Sequence, residues 1–157
     1  MGAVTFPDAE VQTRLQSFKN YKVDQLARHP DFRAAGGEQR VTWSPAFIFR
    51  DRKGLELRRW IGWLPPRTFA AELAFVQATE KYRRGDFAGA IEGFDQVLSE
   101  ASGTALEPET LYWKGTAAFL AGGKDMAALA SSWQDLAERF PRTHWGQHAA
   151  VIADVSA

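Results

Sequence analysis

Residues 43–66, WSPAFIFRDRKGLELRRWIGWLPP, decide how the rest of the chain is read. Phe47, Ile48 and Phe49 form a short apolar run, the pattern of a strand buried on both faces. Asp51-Arg52-Lys53-Gly54 is a polar turn closed by glycine. Leu55 to Trp60 reads as the return strand, with Leu55 and Leu57 on one face and Glu56 and Arg58 on the other. Gly62 and Pro65-Pro66 then bend the chain and open a helix, because proline suits a first helical turn.

Working outward towards the N-terminus, Pro7 to Phe18 reads as a short helix capped by Asp8, with Val11, Leu15 and Phe18 at helical spacing. Phe18 to Asp24 (FKNYKVD) reads as a strand carrying Tyr21 and Val23 on one side. Residues 25–35 contain a helical piece broken by Pro30 and ended by Gly36-Gly37.

Towards the C-terminus, Phe69, Leu73, Val76 and Tyr82 continue one face of the helix opened by the prolines, as far as Arg84. Such a helix spans roughly 27 Å. Beyond it two stretches match each other. In the first, Gly85 makes a turn, Phe87 and Ala90 pack across it, and Phe94 follows four residues later. In the second, Leu111 to Gly115 (LYWKG) opens a helix containing Trp113, with Gly115 as a close-packing position. Gly122-Gly123 is the second turn, Trp133 stands where Phe94 stood, and Phe140-Pro141 ends the unit. Phe94 and Trp133 are 39 residues apart, above the roughly 34-residue period of short helical-pair repeats. The excess is placed in a loop over 102–108. A last helix over 144–154 reads as a cap.

These residues carry two resemblances. Trp43 to Phe49, Asp51 to Gly54 and Trp60 to Pro66 resemble the C-terminal half of a thioredoxin-like domain. In that family a proline in a cis peptide precedes such a strand, and a hairpin and closing helix follow. The match implies a cis bond at Ser44-Pro45 and a peptide-binding groove beside it, with Trp43, Ser44, Pro45 and Trp63 as candidate contacts. Residues 82–94 and 111–141 are similar to tetratricopeptide helix pairs, with Gly85, Phe87, Ala90, Phe94, Trp113, Gly115, Trp133 and Pro141 at packing positions. The implied fold class is α/β plus all-α. A partial thioredoxin-like α/β module over 1–66 is followed by a tetratricopeptide-like helical hairpin array with its cap over 67–157, the helix over 66–84 being shared.

The departure from the first family is chemical. Its redox activity needs a Cys-x-x-Cys pair, and this chain has no cysteine. The family's cysteine-bearing half would precede Met1, and in its absence the strands at Tyr21 and Phe47 lose the strand that lies between them. Three resolutions are open: the strands close up, a partner or second copy donates a strand, or the natural chain is longer.

Composition bounds the rest. Nineteen basic and nineteen acidic residues cancel, so no global field draws nucleic acid or an anionic membrane. The N-terminus has neither the basic region nor the apolar core of a secretory signal, and Phe6 stands where a myristoylation site wants Ser or Thr. A cytoplasmic protein without a cofactor is expected. Arg50, Arg52, Lys53, Arg58 and Arg59 cluster against Asp51 and Glu56. That pattern fits either an acidic or phosphate-bearing partner or a strand edge protected by charge. Trp43, Trp60 and Trp63 flank the hairpin, as cover for the sheet or as binding surface. His144 and His148 are four apart, a spacing that lets two imidazoles share a metal, but no third ligand stands at a suggestive interval. They are read as exposed histidines, with no metal site. No serine has a histidine partner at a recognisable spacing, and Gly122-Gly123-Lys124 lacks the rest of a phosphate loop. The expected function is a non-enzymatic module binding a protein or peptide partner. The alternatives are a thiol-disulfide oxidoreductase relative whose redox half is missing, and a homodimer formed through an exposed sheet edge.

Overall fold

The computed structural model describes residues 4–24, 29–33 and 40–152. The fold is mixed α/β and mostly helical, with one two-stranded antiparallel sheet among the described residues. The chain divides into two compact units, Met1–Pro66 and Arg67–Ala157.

In the first unit, helix α1 spans Ala9–Leu15. Asp8 caps it, its carboxylate accepting from the Glu10 and Val11 amides at 3.0 and 3.1 Å. Val11 on its inner face is fully buried. Strand β1 (Ala46–Arg50) pairs with β2 (Glu56–Ile61), in a register that sets Ala46 opposite Ile61 and Phe47 opposite Trp60. Residues two apart on a strand share a face, so Phe47 and Phe49 lie side by side and Trp60 stacks on both. The ring centroids are 5.0 and 5.1 Å apart. Phe6 and Phe18, on either side of α1, meet Phe47 and Phe49 edge-on. The hydroxyl of buried Thr5 donates to the Leu64 carbonyl at 2.8 Å.

Three expectations change here. The apolar run Phe47-Ile48-Phe49 is half-buried rather than buried on both faces, because the sheet has two strands. Leu55 lies in the turn and is 57% exposed, the strand beginning at Glu56. Residues 18–24 form no strand. An extended segment needs a neighbour to take its amides and carbonyls, and β1 and β2 pair only with each other among the described residues. Tyr21 is instead 69% exposed, and its hydroxyl donates to the Asp31 carboxylate. Of the expected helical piece over 25–35, residues 25–28 and 34–35 lie outside the described residues, as does Gly36-Gly37; a turn closes from the Phe32 amide to the His29 carbonyl.

The second unit contains α2 (Pro66–Arg83, its first residue closing the first unit), α3 (Phe87–Ala101), α4 (Leu106–Ala121), α5 (Met126–Arg139) and the short α6 (His144–Ala149). Gly85 and Gly123 adopt φ of +81° and +69°, the left-handed values that let glycine end a helix. Asp86, Asp125 and Thr143 cap the helices that follow the turns. Ala71, Ala74, Phe75 and Ala78 form one stripe of α2 and pack with Ala90, Phe94 and Val97 of α3 in a core that continues to Leu106 and Ala117 of α4. Phe69, Leu73 and Val76, the stripe read from the sequence, are also buried.

The helices approach closely where side chains are absent. A methyl group at Gly93 would lie 2.9 Å from the Ala78 Cβ, and one at Gly115 would lie 2.9 Å from the Trp133 ring. Helix α4 begins at Leu106, so the connection is shorter than the loop expected over 102–108. Pro108 falls in its first turn, where a missing N–H costs nothing. Glu107, also buried, accepts from the Gly103 amide at 2.6 Å and from Arg139 at 2.6 Å. Helix α6 ends at Ala149, earlier than expected, and residues 153–154 lie outside the described residues.

Candidate functional site

The turn of the hairpin is fixed by Asp51. Its Oδ1 accepts from the Lys53 and Leu55 amides at 2.8 and 2.9 Å, and Gly54 completes the turn with φ of +82°. Counting outward along the ladder from this turn fixes the other end. Past Ala46 and Ile61, the Gly62 amide donates to the Pro45 carbonyl at 2.8 Å. The Ser44-Pro45 peptide is cis. Trp43 and Trp63 therefore leave the two strands at the same end of the hairpin, and both are turned to solvent, 71% and 65% exposed. Ile61 beside them is exposed as well.

The three tryptophans that looked alike in sequence thus divide. Trp60 belongs to the sheet's aromatic stack, whereas Trp43 and Trp63 form an exposed apolar end, with Ser44 and Pro45 between Trp43 and the start of β1. Ile61 was not singled out from sequence. Its signal was present, since it follows Trp60 by one residue and must face away from the stack.

The opposite end of the hairpin is cationic. Arg50, Arg52 and Lys53 are exposed. Asp51 is engaged by the turn amides, and Glu56 is held by Arg59 through two contacts of 2.8 and 2.6 Å. The bond from Arg59, helped by the nearby charges of Arg59 and Arg50 against some desolvation, holds the Glu56 carboxyl below its usual range.

In the second unit, the sequence-predicted packing residues occupy interior or turn positions. Ala90 and Phe94 are buried, and Phe87 and Trp113 both meet Tyr82 with ring centroids 5.6 Å apart. Trp133 stacks on Tyr112 at 4.5 Å, and Pro141 is exposed just after α5. Trp145, which the repeat pattern did not single out, joins this cluster against Tyr112 and Trp113. Burial, followed by the Tyr82 charge, raises the pKa of the Tyr112 hydroxyl.

The imidazoles of His144 and His148 lie side by side, their centroids 4.0 Å apart, and both residues are exposed. Among the described residues no group of three His, Cys, Asp or Glu side chains is placed to hold a metal ion. No helix among them is long and apolar enough to cross a membrane. No family model matches the chain, and neither a curated protein nor a solved structure matches it.

Proposed function

We propose that the chain is a non-catalytic binding module, an adaptor that takes a protein or peptide partner on the hairpin end formed by Trp43, Ser44, Pro45 and Trp63. The observation that carries this reading is the exposure of two indoles at one end of one hairpin while the third, half-buried, stacks within the sheet. Trp side chains bring a large contact area with little rotamer entropy to lose, which is why they concentrate at binding hot spots. The thioredoxin-like and tetratricopeptide-like resemblances agree with a binding role, and the absence of cysteine leaves no thiol for exchange chemistry.

The test is a screen of immobilised peptides against the intact chain, repeated with Trp43→Ala/Trp63→Ala. The double variant is expected to lose the binding that the native chain shows. Retention of every bound peptide overturns the reading. Both indoles are exposed, so the fold is expected to survive, as far-UV circular dichroism checks.

A second reading is favoured by the strand pairing: β1 and β2 have no further neighbours among the described residues. An unpaired edge is a template for another strand, so a second copy of the chain is the alternative occupant. Light scattering across a dilution series separates the two readings. A mass that halves on dilution supports assembly, and a constant monomer mass removes it.

A further inference from the structure

We propose that the partner is an extended peptide of bipartite chemistry, apolar at one end and acidic at the other, lying lengthwise along the hairpin. The inference rests on the binding role of Trp43 and Trp63 and adds the class of ligand. The two ends of the hairpin differ in kind. One presents Trp43, Ile61 and Trp63 to solvent. The other presents Arg50, Arg52 and Lys53.

The hairpin's two carboxylates offset only part of this charge, Asp51 and Glu56 standing against Arg50, Arg52, Lys53 and Arg59. Asp51 accepts two backbone amides of its own turn, and Glu56 is clasped by Arg59. The chain as a whole has formal net charge zero, so the cationic tip is a local feature rather than part of a general basic surface. Arg50 lies five residues beyond Pro45 along β1, about 17 Å at the rise of a strand. A peptide in the same extended conformation needs five or six residues to span that interval. Its acidic groups would meet the tip at the rim, where opposite charge fixes register and speeds association, and its apolar groups would meet the indoles.

Three blocked peptides of about ten residues serve as probes, each made in both chain directions. The first has Leu-Phe at one end and two Asp at the other, with five Ser and Thr residues between. The second has Asn for Asp. The third moves the Asp pair next to Leu-Phe. Binding is followed by fluorescence anisotropy at low and at physiological salt.

The expected result is that the first peptide binds about five- to tenfold more tightly than the other two at low salt, an advantage that shrinks as salt rises. Arg50→Ser/Arg52→Ser/Lys53→Ser is expected to abolish the advantage while leaving the Asn peptide's affinity unchanged. Equal affinity for the three peptides, or an advantage that survives the triple variant, overturns the inference and leaves the binding role standing. Binding of none of them, or binding indifferent to Trp43→Ala/Trp63→Ala, overturns the role and the inference together.

Discussion

Two glycines set how closely helices of the second unit pack, and they differ in what a methyl group would strike. At Gly93 the obstacle is the Ala78 Cβ at 2.9 Å with the Ala78 Cα at 3.3 Å behind it, atoms fixed to the α2 backbone. At Gly115 it is the Trp133 ring at 2.9 Å, which is stacked on Tyr112 and whose indole N–H points to the Tyr112 carbonyl. Each substitution would force a packed neighbour to shift, so Gly93→Ala and Gly115→Ala are each expected to destabilise by about 1–3 kcal/mol, the usual cost of overpacking. Chemical denaturation of each variant checks this; an unchanged midpoint would show that the helices separate freely. The Glu56–Arg59 pair gives a pH signature at the same scale. The folded-state pKa of Glu56 is depressed by its bond to Arg59. Its stabilisation is therefore present above the unfolded carboxyl pKa and is lost as pH falls through the lower folded value. Both side chains are about a third exposed, so solvent screening limits the contribution to a few tenths of a kcal/mol. Urea midpoints of native chain and Glu56→Gln are expected to differ near neutral pH and to converge as pH falls through the depressed folded-state value. A difference that persists in acid would assign the effect to packing.

At the scale of elements, one ion pair ties the start of α4 to the end of α5. Glu107 is buried, and Arg139 reaches it at 2.6 Å while holding exposed Asp135 at 3.0 Å. Removing the arginine strands a buried carboxylate with the Gly103 amide as its hydrogen-bond donor, so Arg139→Ala is expected to cost about 1–3 kcal/mol. Asp135→Ala is expected to cost under about 0.5 kcal/mol, because its pair with Arg139 is exposed. Thermal melts of both variants measure the contrast, and equal shifts would place the effect in Arg139's own helix. Element ends were legible wherever local chemistry sets them: Asp8 and Pro66 open helices, and Gly85 and Gly123 sit in turns. They were not legible where a distant partner decides. Residues 18–24 have strand-like alternation but no neighbour to pair with. Pro108 looked like a loop residue because its tolerance in α4 depends on lying in the first turn, which only the position of Leu106 fixes. The candidate site lay between these cases. That Trp43 and Trp63 share one end follows from counting out from the Asp51–Gly54 turn. Which tryptophan stacks within the sheet depended on Phe47 and Phe49 sharing a face with Trp60, a property of register.

For the whole molecule, the balance of charge sets what the cationic hairpin tip can attract. Nineteen basic residues face nineteen acidic ones, so at a distance beyond the Debye length of about 8 Å in physiological salt the chain presents no net attraction to a polyanion. Arg50, Arg52 and Lys53 act only on what reaches the hairpin tip. Three such contacts to a single strand of nucleic acid give a log–log salt slope of roughly −2. With no aromatic residue among the three tip cations for a base to stack on, that electrostatic contact has nothing to add to it. Binding of a single-stranded oligonucleotide at physiological salt is therefore expected to be weaker than about 100 μM, beyond the weak end of the usual non-specific range. Anisotropy of a labelled oligonucleotide measures it directly. Micromolar affinity lost in the triple tip variant would turn the hairpin into a nucleic-acid surface and displace the peptide reading. Weak, strongly salt-dependent association would leave the peptide proposal standing, with the tip as the local charge that would orient the proposed ligand.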